Sequence, residues 1–129
     1  CRHRVWTGCW WVVVDPVAAD LVGPILLSHR KVVTPLMRAD AVDSHLWVRR
    51  TAILAQLKHR DETDVDLLAD VIDVNLEGSL HGSDFFIRKA VGWSLRQYAR
   101  TDPDWVRAFV DSRGPRLSGL SRREALKHL

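Results

Sequence analysis

The chain is short of cysteine: 129 residues hold two, Cys1 and Cys9. Two cysteines give no disulfide framework, and a reduced, cytoplasmic setting is expected. Long apolar runs are also missing. The longest is Cys9 to Val14, six residues, against the roughly 20 that a spanning helix needs. No membrane segment is expected, and no signal-peptide pattern is visible. The six histidines are scattered without ligand spacing, so no metal is expected. There is no glycine-rich phosphate loop and no serine-centred elbow. No lysine stands out as a Schiff-base nucleophile. No cofactor is expected.

What is present points to one folded domain over residues 1–129. Hydrophobic residues make up 47% and charged residues 27%, as in ordinary soluble proteins. The formal charge of +3 and a pI near 9.2 permit a polyanionic partner. Six tryptophans exceed what a small helical core needs, which leaves some for a binding surface.

A segment recurs along the chain. Trp47-Val48-Arg49-Arg50-Thr51-Ala52-Ile53 returns as Phe86-Ile87-Arg88-Lys89-Ala90-Val91-Gly92, and more loosely as Leu120-Ser121-Arg122-Arg123-Glu124-Ala125-Leu126. The spacings are 39 and 34 residues, from Arg49 to Arg88 to Arg122. That period with helical patterning predicts an all-α, HEAT-like α-solenoid of antiparallel helix pairs. Both ends fall inside patterned sequence, so the chain is expected to be the later part of a longer repeat protein, truncated at its N-terminus.

Helix starts are predicted where a capping side chain precedes an apolar stripe: Thr34-Pro35, Asp43 or Ser44, Thr63 or Asp64, Ser83-Asp84 and Asp102-Pro103. Ser121-Arg122-Arg123-Glu124 reads as a capping box. The helices expected lie near 20–30, 34–42, 45–59, 64–76, 84–100, 103–112 and 121–129. Cys9 to Val14 has strand propensity but no partner strand, and is expected to be helical or irregular.

Three constellations carry chemistry. The first is the cation pairs Arg49 and Arg50, Arg88 and Lys89, Arg122 and Arg123. Each falls in the first turn of its helix, where the helix dipole already disfavours a cation. An arriving phosphate would reverse that cost, because backbone N–H groups and guanidinium converge on it. The alternative is a solvated face, or arginines bonded to acids of the next repeat. The second is Trp11 and Asp15, an i, i+4 pair suited to a cationic species. The alternative makes Asp15 the cap before Pro16 and Trp11 a core residue. The third is Trp93, on the face of Lys89, either in the same groove or in the core, with Gly92 marking a close helix contact.

Taken together these residues resemble the AlkD-like DNA alkylation-repair family of HEAT-repeat glycosylases. The likeness rests on Phe85 to Tyr98, on Arg50-Thr51-Ala52-Ile53-Leu54 and on Leu120 to His128. It implies a tryptophan and aspartate of the active site at Trp11 and Asp15, a phosphate-contacting arginine at Arg50 and a second cleft tryptophan at Trp93. It further implies a monomer that removes cationic alkylated purines, 3-methyladenine and 7-methylguanine, from double-stranded DNA without strand cleavage. Val12 in place of an acidic residue, Pro16 directly after Asp15, and a long loop over 75–83 depart from the family pattern. A DNA-binding solenoid without glycosylase activity and a protein-binding scaffold are the other functions compatible with the residues.

Overall fold

A computed structural model describes residues 15–129, apart from Glu77 and His128. The expectations for Cys9 to Val14, Trp11 and Val12 lie outside the described residues. Those residues are all-helical and build an α-solenoid. A π-helical stretch, Val17–Val22, runs straight into α1 (Gly23–Ser28). Then follow α2 (Arg30–Asp40), α3 (Leu46–Leu54), α4 (Val65–Asp73), α5 (Phe85–Ala99), α6 (Pro103–Arg113) and α7 (Gly119–Ala125). Helices alternate between two layers. The π stretch, α3, α5 and α7 pack side by side in one, and α2 packs on α4 in the other.

The core lies between the layers. Leu26, Ile53, Leu54, Leu67, Ile72, Ile87, Leu95, Val106 and Val110 are all but inaccessible to solvent. Burying a side chain of this kind stabilises by about 1.5–3 kcal/mol. In α4 the buried residues are Leu67, Leu68, Val71 and Ile72, a single helical stripe.

Aspartate caps form where expected. Asp64 accepts from the Asp66 and Leu67 N–H groups, Asp84 from Phe86, and Asp102 from Trp105. Other starts differ. Pro35 lies inside α2, which begins five residues earlier at Arg30. The α3 cap is His45, not Asp43 or Ser44, although the Asp43 carboxylate accepts the His45 N–H. Ser118 caps α7, so the predicted box at Ser121 does not form. Ser121 instead donates to the Arg88 carbonyl at 2.7 Å, and Glu124 turns away to cations of α5.

Two glycines set how closely neighbouring helices approach. A Cβ on Gly92 would stand 2.6 Å from the Glu124 Cβ, so α5 and α7 meet at this point. A Cβ on Gly23 would stand 2.8 Å from the Ala55 carbonyl oxygen. Beside it, His59 bonds the Gly23 carbonyl through Nε2 at 2.9 Å, while its Nδ1 is buried without a partner among the described residues. Burial pushes the His59 pKa down.

Candidate active site

Asp15 is already helical, directly ahead of the π stretch, and Pro16 continues the helix at φ −62° and ψ −39°. Past Gly23, whose N–H reaches back five residues to the Ala18 carbonyl, comes Pro24. Proline has no N–H, so the α-helical bond from residue 24 to Asp20 cannot form. The wider π register occupies this interval.

Asp15 does not act as a cap. Its two carboxylate oxygens accept from Nε and Nη2 of Arg50, both at 2.8 Å. This is the two-pronged geometry in which arginine matches a carboxylate best. The remaining terminal nitrogen of Arg50 donates to the Phe86 carbonyl. The side chains are 4% and 15% exposed for Arg50 and Asp15. One guanidinium therefore joins three helical segments: that of Asp15, α3 and the start of α5.

Aromatic rings surround this joint. The Arg50 guanidinium lies 5.8 Å from the Phe86 ring centre. Trp47 is tilted against Phe86 at 5.1 Å, and Phe85 meets Phe86 edge-on at 5.4 Å. Trp93 lies two turns beyond Phe86 on α5, partly buried against the core. A carboxylate has about four lone-pair directions, and Arg50 uses two. The others can orient a water or oppose a positive charge.

The cation pairs keep their register, at the fourth and fifth positions of α3, α5 and α7. They do not make a row of free charges, however. Arg49 is 6% exposed, donates to the Asp43 and Val42 carbonyls, and reaches Asn75 Oδ1 at 3.1 Å. Arg122 likewise donates to the Gly114 carbonyl at 2.6 Å. Arg88 is half-buried, with an Nε that has no partner among the described residues. First members of the pairs thus turn inward. Of the second members, Arg50 holds Asp15 and Lys89 holds Glu124, while Arg123 is exposed. The physical reason is that an interior arginine can satisfy loop carbonyls that water does not reach.

Two site features escaped the sequence reading. Glu124 accepts from both Lys89 and Arg96, the latter at 3.1 Å, and the Lys89 bond, ahead of the burial that opposes it, holds its carboxyl below the ordinary value. The second is the aromatic joint of Trp47, Phe85 and Phe86. The available signal was a spacing of 35 residues, shared by Asp15 to Arg50 and Lys89 to Glu124.

The family model described as DNA alkylation repair enzyme matches residues 1–129. The chain belongs to the DNA alkylation repair enzyme family. A solved structure, a predicted DNA alkylation repair enzyme from Enterococcus faecalis, is similar to this family member at 35% identity and a TM-score of 0.80. The match covers 93% of this chain and 53% of that one, so the chain spans about half of its solved relative. No curated protein matches. Among the described residues of this family member, no group of His, Cys, Asp and Glu is arranged to hold a metal ion. No described helix is long and apolar enough to cross a membrane.

Proposed function

We propose that this chain carries the catalytic carboxylate of a monofunctional HEAT-repeat DNA glycosylase. The enzyme hydrolyses the N-glycosidic bond of 3-methyladenine and 7-methylguanine in duplex DNA and so begins base-excision repair. The observation that supports this best is the Asp15 carboxylate, fixed by both prongs of a 4% exposed Arg50 beside Phe86 and Trp47.

Alkylation at a ring nitrogen makes the purine cationic, so it departs as a neutral base without a general acid. Positive charge then grows on the deoxyribose. A carboxylate held in place opposes that charge and orients the water that adds to the sugar carbon. Preorganised help of this sort is worth about 3–4 kcal/mol, or ~100- to 1000-fold in rate. Trp93, and Trp11 ahead of Asp15, supply ring faces to the cation. Arg50 positions Asp15 and, once DNA is bound, neighbours its backbone. Arg123 and Lys89 contribute to phosphate contact from outside, and Arg49 and Arg122 tie down the backbone ahead of α3 and α7.

The test is release of 7-methylguanine from methylated duplex DNA. Asp15→Asn, which keeps the shape and loses the charge, is expected to lower release by ~100-fold or more. Wild-type release by Asp15→Asn would refute the assignment. A second reading, a DNA-binding solenoid without catalysis, is favoured by the same ion pair, because Arg50 already neutralises Asp15. It predicts salt-sensitive duplex binding with no base release by wild type.

A further inference from the structure

The segment that carries Asp15 is held to α3 and the turn behind it at two places. Arg50 grips Asp15 itself. Eight residues later, His59 Nε2 meets the Gly23 carbonyl at 2.9 Å, where the π winding ends. A carbonyl oxygen only accepts, so Nε2 carries the proton and donates. Nδ1 is then an acceptor, buried and without a partner among the described residues. A buried acceptor left unpaired costs stability, and an apolar side chain of similar size would avoid that cost. What the imidazole contributes at this position is therefore the bond through Nε2.

Two other contacts join the same turn to the helices around Gly23. Lys58 pairs with Asp20, and Arg30 donates to the Glu62 carbonyl. The Lys58 pair is more than half exposed on both sides, where an ion pair is worth little. The Arg30 contact is also exposed, and it falls past the π stretch, on α2. His59 is 5% exposed, so its bond is the buried one of the three. Gly23 lets the two approach: a Cβ there would stand 3.5 Å from His59 Nε2 and closer still to the Ala55 carbonyl oxygen.

This hold matters to Asp15 because of what lies between. The π-helix is rare, and it occurs mostly as single turns set into α-helices, often at functional sites. Here the six residues Val17–Val22 are wound in this way. Rewound as α-helix with all its residues, the stretch would carry Asp15 round the helix axis by the angle of one residue. The carboxylate would then no longer face the Arg50 fork. Pro24 removes one α-helical bond, but it does not anchor the end of the stretch to α3. The bond from His59 does.

We infer that His59 is a positioning residue for Asp15: through the Gly23 carbonyl it holds the π register that aims the carboxylate at Arg50. The inference rests on the role proposed above for Asp15 and names the device that sets its direction. His59 touches neither substrate nor Asp15, and acts through the winding between them.

The experiment compares His59→Gln, whose amide nitrogen can stand where Nε2 lies, with His59→Asn, whose amide reaches only as far as Nδ1. The first readout needs no DNA. It is the fall in melting temperature caused by Asp15→Asn, which leaves the buried Arg50 without its partner. In the His59→Gln background that fall should equal the fall in wild type. In the His59→Asn background it should shrink to less than about half, because Asp15 has already turned from Arg50. Gly23→Ala crowds the same contact from the other side and should act like His59→Asn, giving the comparison with His59 intact. The second readout is single-turnover release of 7-methylguanine from methylated duplex, with duplex affinity measured beside it. His59→Asn should slow release by about 10- to 100-fold with affinity unchanged, and His59→Gln should restore it. Equal Asp15→Asn shifts in every background, equal behaviour of the two His59 variants, or release and affinity falling together would each overturn the inference and leave His59 a packing residue. Wild type that releases no base removes the glycosylase reading alone, and the melting comparison still decides on His59.

Discussion

Asp15 and Glu124 are two carboxylates in equivalent linkages, each 35 residues from the cation that holds it, yet they are held in different ways. Asp15 takes one guanidinium on both oxygens, and that guanidinium is buried and also tied to the Phe86 carbonyl. Glu124 takes two separate cations, Lys89 and Arg96, both from α5 and both partly open to water. Glu124 fastens one helix to the next with cationic charge to spare. Asp15 is oriented from one side by a single fork. Among the described residues, the same repeat-to-repeat ion pair thus yields a strap at one end and a fixed carboxylate with a single partner at the other.

The comparison breaks most sharply at Arg50. Arg50→Ala leaves Asp15 in a nearly closed site without its partner, and a loss of about 3–5 kcal/mol is expected. Thermal or urea unfolding of the variant measures it. Arg50→Lys sharpens the point, since a lysine cannot grip both oxygens. It should lower base release with a much smaller change in duplex affinity. If affinity falls as far as release, Arg50 acts on phosphate and not on Asp15.

Gly92 comes next. Gly92→Ala presses a methyl group toward Glu124 and Ser121 where α5 meets α7. A cost of about 1–3 kcal/mol is expected from overpacking. An unchanged melting temperature would mean that α7 shifts freely. The Glu124 end should then be the weaker half of the comparison. Glu124→Gln is expected to cost only about 1 kcal/mol, because Lys89 is 41% exposed. Raising the salt concentration should shrink that cost but leave the Arg50 effect nearly intact.

Acid supplies the smallest test, in two windows. His59 has its pKa lowered by burial, so the unfolded chain binds its proton first. Stability is therefore full above the ordinary histidine value of about 6.5 and falls as pH drops from there to the lowered folded value. Glu124 has its pKa lowered chiefly by Lys89, so its contribution is present above the ordinary carboxylate range and is lost below it. His59→Gln should flatten the first window and Glu124→Gln the second, in melting curves recorded against pH.

Much of the fold was legible because its signals are local. Asp64, Asp84 and Asp102 each stand just ahead of an apolar stripe, and each caps as read. Pro35 misled because a proline after threonine resembles a helix start, while the turn that precedes it has no side-chain cap and so leaves no mark. Ser121 misled for a tertiary reason: Glu124, which a capping box needs, is taken by Lys89 and Arg96. Asp15 and Arg50 were both picked out, but for separate tasks. Their pairing depends on two helices meeting, and no window of sequence records that. Arg49 illustrates the same limit, since a buried arginine and an open one read alike until the carbonyls of the loop before α3 surround it.

The π stretch between Asp15 and Gly23 also makes the site sensitive to chain length. A π turn holds one residue more than an α turn. Removing a single residue from Val17–Val22 would let the stretch wind as an α-helix and leave Asp15 nearly in register, whereas inserting one more would turn Asp15 by about 100° around the helix axis. After such an insertion the Asp15 carboxylate would leave Arg50, although neither side chain had changed. A one-codon deletion there is thus a change that the carboxylate's aim can absorb, and a one-codon insertion is one that it cannot.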